Sequence, residues 1–234
     1  MIGNGCVIAI GGNEDKTGEQ ESILAAFVER AGSELARIVV IPSASEEPLE
    51  RARTYGRIFR ELGAADVRAV HAERGVVTAE EREAIRNATG IFVTGGSQGR
   101  LMDALRETDC IEVIRETVRA GAVYAGTSAG ASAASATMIA GSNDGEILEE
   151  MEFGEGLGLI PDVIIDQHFS ERGRLPRLIA STAAYGMTGV GIDENTAIVW
   201  TGPGEALVKG TGAVTVLDLT NKLHILKDGA KIRF

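Results

Sequence analysis

A serine held between glycines at the end of an apolar run is a nucleophile in want of a base. Gly126-Thr127-Ser128-Ala129-Gly130 has the G-x-S-x-G form and lies between the apolar residues 123–125 and the small-residue segment 129–136. A sharp strand-to-helix bend there strains the serine backbone and aims its hydroxyl out of the sheet, and flanking glycines remove side chains that would collide. Ser128 is therefore the candidate nucleophile for acyl transfer. The helix start after it offers free N–H groups and the positive end of a dipole to an oxyanion, with the Ala129 N–H as first donor. A second donor is expected from Thr94-Gly95-Gly96-Ser97-Gln98, which follows the apolar residues 91–93. Bare backbone at Gly95 and Gly96 lets a carbonyl approach closely.

A serine hydroxyl needs a base, and the chain has three histidines. His71 follows a strand and precedes a charged loop, while His224 alternates with apolar neighbours in a late hairpin; both have structural explanations. His168 ends Val163-Ile164-Ile165-Asp166-Gln167-His168, where an apolar strand runs into polar groups, and such strand ends line the ligand crevice of wound sheets. Gly191-Ile192-Asp193-Glu194 again closes an apolar strand with acids that could orient an imidazole. Alternation turns one acid inward and the other outward, and the residues alone leave Asp193 and Glu194 both open. The order serine, histidine, acid departs from the serine, acid, histidine order of ordinary α/β-hydrolases. Arg172, Arg174 and Arg177 follow the histidine closely, either as a solvated helix start or as bidentate receptors for substrate carboxylates.

The elements that must position these groups read as an α/β fold with a doubly wound, mostly parallel sheet and C-terminal β-hairpins. Strands are expected at residues 7–10, 38–41, 67–70, 91–93 and 123–125, and later at 163–165, 190–192 and 197–200. Helical spacing of Ile23, Leu24, Phe27, Val28 and Ala31 ends at Gly32, and that of Tyr55, Ile58, Phe59 and Leu62 ends at Gly63. Thr78 with Glu81, and Asp109 with Glu112, have the capping-box spacing, and residues 175–185 read as a further helix. The glycines from 202 to 229 punctuate short hairpins and lack the Gly-Lys-Ser/Thr of a phosphate loop.

With 234 residues, 44% hydrophobic and 24% charged, the chain reads as one folded domain over residues 1–234. A formal charge of −11 argues against a nucleic-acid partner and suits a cationic or zwitterionic substrate, although it also serves solubility. Cys6 and Cys110 have no metal-like spacing and form no disulfide framework. No basic leader, cleavage site or membrane-length apolar run is present, which reads as cytoplasmic.

Five blocks in this order carry a resemblance: Gly11-Gly12-Asn13-Glu14-Asp15-Lys16, Thr94 to Gln98, Gly126 to Ala131, Asp166-Gln167-His168-Phe169 with Arg172-Gly173-Arg174-Leu175, and Gly191 to Ala197. Together they resemble the cyanophycinase and peptidase E serine peptidases. The resemblance implies a serine exopeptidase that degrades cyanophycin, a poly-aspartate carrying arginine on its side-chain carboxyls, to β-Asp-Arg dipeptides. It further implies a flavodoxin-like fold related to class I glutamine amidotransferases, no metal or other cofactor, and a homodimer. By position, Ser128 would be the nucleophile, His168 the base and Glu194 its partner. Gln98, Asp166, Gln167, Arg172, Arg174 and Arg177 would line the substrate site. Ser97 stands where many relatives have an acid or amide, and the segment 142–155 matches nothing in the family pattern. Two other readings are an α-aspartyl dipeptidase or another isopeptide-cleaving relative, and a peptide-binding module without turnover. Glutamine amidotransferases use cysteine at the elbow, where this chain has serine.

Overall fold

The computed structural model describes residues 3–17, 22–72, 76–141, 151–202 and 204–234. Its first half alternates strands β1 (Cys6–Ile10), β2 (Arg37–Ile41), β3 (Asp66–Ala69), β4 (Gly90–Val93) and β5 (Val123–Thr127) with helices α1 (Ile23–Arg30), α2 (Pro48–Glu61), α3 (Ala79–Arg86), α4 (Gln98–Arg106) and α5 (Cys110–Arg119). There follow α6 (Ala129–Ser132), β6 (Thr137–Gly141), β7 (Glu152–Glu155), β8 (Val163–Gln167), α7 (Leu175–Tyr185) and β9 (Thr188–Ile192). The chain ends in β10 (Thr196–Gly202), β11 (Glu205–Gly210), β12 (Val214–Leu217), β13 (Leu223–Leu226) and β14 (Lys231–Arg233).

Eight strands form the main sheet in the order β14-β11-β10-β1-β5-β4-β2-β3. The five strands from β1 to β3 along that order run parallel, whereas β10, β11 and β14 are added antiparallel. This is the expected flavodoxin-like arrangement, with both sheet faces buried. Along β1, Val7 and Ala9 pack on one face while Ile8 and Ile10 pack on the other. On the second face Phe27, Phe59 and Phe92 meet with ring centroids 5.0–5.7 Å apart, and Tyr55 lies 4.5 Å from Phe92. Burying each such ring stabilises the fold by about 1.5–3 kcal/mol and fixes α1 and α2 against the sheet.

The second half departs from a simple continuation of that sheet. Strands β8 and β9 pair in parallel within a separate four-stranded sheet, β13-β12-β9-β8, and β6 pairs with β7 in a two-stranded ribbon. The segment after the elbow is helical for only four residues, Ala129–Ser132, before the chain turns toward β6. The Thr78–Glu81 capping box forms, with the Thr78 hydroxyl accepting from the Glu81 N–H at 3.1 Å and Glu81 accepting from the Thr78 N–H at 2.8 Å. The Asp109–Glu112 box does not: the Asp109 side chain makes no capping bond, and Glu112 pairs instead with Arg115 at 3.4 Å and Arg119 at 3.1 Å. Of the segment 142–155, residues 142–150 lie outside the described residues, and the remainder contributes β7. No helix among the described residues is long and apolar enough to cross a membrane.

Candidate active site

Parallel pairing brings the carboxyl ends of three strands side by side, with Ile10 opposite Thr127 and Val93 opposite Gly126. The loops that leave them are the Gly11-Gly12 turn, the Thr94-Gly95-Gly96 turn and the elbow. Ser128 bends away with φ 52° and ψ −111°, a strained conformation for a residue with a side chain, and its N–H is tied to the Ile10 carbonyl at 3.0 Å. The elbow glycines are needed for packing. A Cβ at Gly126 would run into the Gly130 backbone, and one at Gly130 into the Val93 carbonyl. The Tyr124 hydroxyl donates to the Gly130 carbonyl at 2.7 Å and pins the short helix from below.

The second sheet meets the first at this same edge. The His168 N–H donates to the Gly11 carbonyl at 2.8 Å and the Asn195 N–H to the Gly12 carbonyl at 2.9 Å. The strand ends of β8 and β9 are thereby stitched to the end of β1. His168, at φ 47°, turns its ring across Gly12 toward the elbow. Its Nε2 lies 3.1 Å from the Ser128 Oγ, and its Nδ1 lies 2.6 Å from the Glu194 Oε1. With Nδ1–H donated to the carboxylate, Nε2 is the free lone pair facing the hydroxyl. The other Glu194 oxygen accepts from Asn13 Nδ2 at 2.9 Å. Hydrogen bonds from His168 and Asn13 hold Glu194 below the usual carboxylate range, with help from the nearby His168 and Arg172 charges.

Asp193 faces the other way, accepting from the Ser170 N–H at 3.1 Å and the Ala213 N–H at 2.9 Å, so it braces the loop after β8 against the start of β12. Geometry therefore brings Glu194, and not Asp193, to the imidazole. His224 pairs with Asp218 at 2.9 Å far down the chain, and Asp218 is driven below the normal carboxylate range mainly by that bond and by Thr220. His71 lines a neighbouring groove with Arg100 and Asp103.

Ser128, His168 and Glu194 open onto a cavity of about 830 Å³ whose walls include Gly95, Gly96, Glu14, Lys16, Arg51 and Arg100. A Cβ on Gly95 would come within 3.1 Å of the Ser128 Cβ, which places that turn directly against Ser128. Among the described residues, the N–H groups of Gly95, Gly96 and Ala129 donate to no protein acceptor. Ala129 itself is fully buried. Ser97 caps α4, its hydroxyl accepting from the Arg100 N–H at 3.2 Å, which accounts for serine at that position.

The expected substrate-site residues separate into three groups. Gln167 reaches Ser128: its Oε1 accepts from the Ser128 hydroxyl at 3.3 Å. Gln98 turns its amide to the Ile139 carbonyl at 3.4 Å, and Arg172 is exposed near Glu194. Asp166, Arg174 and Arg177 form a buried network outside the walls of the cavity. Both Asp166 oxygens are gripped by Arg177, with Nε–Oδ2 at 2.7 Å, and Arg174 lies 3.4 Å from the same carboxylate and donates to the Gln167 carbonyl. The three groups expected at the substrate site thus engage one another in this structure: a buried carboxylate needs paired donors, and the nearest arginines satisfy it. Asn13 and Glu14 were the residues that sequence reasoning left without a role. Their signal was their place in the polar run immediately after β1.

Gly12 faces the imidazole so closely that a Cβ there would overlap the His168 ring. Gly12→Ala is expected to displace the base by the order of 1 Å and lower kcat/KM about 100-fold, with the circular dichroism spectrum unchanged. A mutant with near-normal kcat/KM would show that ring placement to be unimportant. Neither cysteine can substitute as nucleophile. Burial pushes the Cys6 thiol up to about 11 and raises that of Cys110 as well. Iodoacetamide at pH 8 should therefore leave the intact mass and the activity of the native protein unchanged.

A serine, an imidazole and a carboxylate at the strand ends of a flavodoxin-like sheet define a serine-type hydrolase. The chain belongs to peptidase family S51, whose model matches residues 7–208. It is 43% identical over 224 residues to a cyanophycinase of Trichormus variabilis, covering 93% of this chain and 75% of that protein. A peptidase E of Shewanella amazonensis is 38% identical over 129 residues, covering 51% of this chain and 54% of its own. The crystal structure of a peptidase from an acI-B1 actinobacterium has the same fold, with TM-score 0.75, 24% identity and coverage of 98% and 97% of the two chains.

Proposed function

We propose that this peptidase is a cyanophycin-hydrolysing exopeptidase that releases β-Asp-Arg dipeptides through an acyl-enzyme on Ser128. The observation that carries this reading is the unbroken Glu194–His168–Ser128 chain, 2.6 and 3.1 Å, opening into a cavity walled by both charge signs. The likeness to a cyanophycinase over most of the chain supports the choice of polymer.

Turnover begins when the Ser128 hydroxyl rotates from Gln167 to His168 Nε2 and gives up its proton as Oγ attacks the scissile carbonyl carbon. The N–H groups of Ala129 and of Gly95 or Gly96 receive the oxyanion. Protonated His168, stabilised by Glu194, then delivers that proton to the leaving amine as the C–N bond breaks. Water, deprotonated by the same imidazole, attacks the ester and frees Ser128. Gln167 holds the resting hydroxyl and sits on the strand end that the Asp166, Arg174 and Arg177 network supports.

The same reading takes the whole chain as one hydrolytic domain acting as a cytoplasmic homodimer with no nucleic-acid partner, in line with the −11 charge and the family pattern. Purified protein should convert insoluble cyanophycin to β-Asp-Arg, identified by mass spectrometry, and a serine-directed covalent probe should label Ser128. Cleavage of α-Asp dipeptides alone would assign it to the aspartyl dipeptidases. Peptide binding without turnover or labelling would make it a binding module.

A further inference from the structure

An exopeptidase acting on an aspartate-rich chain must hold a carboxylate near the bond it cuts. Of the arginines that follow the base, Arg174 and Arg177 are buried against Asp166, and Arg172, exposed near Glu194, is not among the residues that wall the cavity. The cations that do line the cavity are Lys16, Arg51 and Arg100, and Arg100 is engaged with Glu46 at 3.2 Å.

Lys16 is held in a defined place. Its Nζ lies 3.2 Å from the Glu14 Oε1, donates to the Glu14 carbonyl at 3.2 Å, and sits 5.7 Å from the centroid of the Tyr55 ring. An ammonium has three N–H donors; one is spent on the Glu14 carbonyl while the charge pairs with the Glu14 carboxylate, and the side chain, 32% exposed, keeps donor capacity for the cavity. Arg51 stands one helical turn before Tyr55 on α2, on the same face, and makes no ion pair among the described residues.

Glu14 explains why the ammonium is fixed there. Glu14 is 3% exposed, and its carboxylate accepts from the Tyr55 hydroxyl and from the Thr127 hydroxyl. Thr127 is the residue before the nucleophile. One buried charge thus joins the α2 aromatic cluster, the elbow and the Lys16 ammonium. Such a charge is tolerated only when fully paired.

We propose that Lys16, with Arg51 beside it, forms a carboxylate-binding subsite of the catalytic cavity, and that Glu14 is the positioning residue that sets this subsite at a fixed distance from Ser128. The proposal rests on the peptidase reading of the cavity and specifies where the acidic end of the substrate is held.

Equilibrium binding of β-Asp-Arg and of its doubly amidated form tests it without turnover, in a Ser128→Ala background. The free acid should bind at least about tenfold more tightly than the amide. Lys16→Met should abolish most of that difference, Lys16→Arg should retain it, and Arg51→Met should reduce it. Glu14→Gln keeps an acceptor oxygen for Thr127 but loses the charge that holds Lys16. It should reproduce the effect of Lys16→Met, and the two losses should not add. Equal binding of acid and amide, or a Lys16→Met variant that discriminates as well as its parent, overturns the subsite. If discrimination follows Lys16 while the unsubstituted protein leaves cyanophycin intact, the subsite stands and the polymer reading falls.

Discussion

Ser128→Ala should lower kcat on cyanophycin by about 10⁵ to 10⁶ without changing the fold, because the hydroxyl is the sole atom lost and no main-chain tie of the elbow depends on it. His168→Ala should cost about as much, and the double variant no more than either single one, since serine and imidazole act as one unit. Glu194→Gln is expected to lose about 10⁴-fold, because an amide presented to Nδ1 no longer fixes the tautomer that leaves Nε2 free. His168 and Asn13 hold Glu194 below the usual carboxylate range. The carboxylate form that receives the Nδ1–H is therefore the favoured one. Depression of that carboxyl also contributes stability that is present above its unfolded pKa and lost as pH falls through the folded one. A Ser128→Ala protein that keeps more than about a hundredth of normal turnover, measured by dipeptide release after removal of contaminating peptidases, would place the nucleophile elsewhere.

Much of the positioning frame was legible because its signals are local. The central parallel strands are apolar on both faces, so residues 7–10, 38–41, 91–93 and 123–125 stand out as continuous runs. The elbow glycines and the Thr78 box are fixed by neighbours a few residues away. Sheet membership is not local: nothing in residues 163–167 or 188–192 states that they leave the main sheet, or that β10 returns antiparallel beside β1. Strands β6 and β7 were missed because Gly141, Gly154 and polar partners interrupt any alternation. Charged groups are the hardest to read. Asp193 and Glu194 are adjacent, and only the turn through Asn195, at φ 46°, decides which carboxylate meets the imidazole. Arg174 and Arg177 look like surface arginines in sequence, yet the bend between β8 and α7 folds both onto Asp166.

That buried network gives the largest expected loss of stability. Asp166 is 1% exposed, Arg174 4% and Arg177 2%, so the carboxylate has no access to water if a partner is taken away. Arg177→Met preserves the packing of α7 against β8, but removes the two bonds that grip the Asp166 oxygens and leaves Oδ1 with Arg174, at 3.4 Å, and the Gln167 N–H, at 2.9 Å, and Oδ2 without the Arg177 guanidinium. An uncompensated buried charge costs about 3–5 kcal/mol. With a urea slope of about 3 kcal/mol per molar for a chain of this length, the midpoint should fall by about 1 M or more. Trp200, the sole tryptophan and 2% exposed, reports the transition by fluorescence. Arg177→Lys should recover little, because an ammonium cannot bridge two carboxylate oxygens as a guanidinium does. Asp166→Asn together with Arg177→Met removes both charges of the pair and should be less damaging than Arg177→Met alone. Additive losses in that cycle would mean that the arginine stabilises the protein through its packing, and that Asp166 is solvated by some other route.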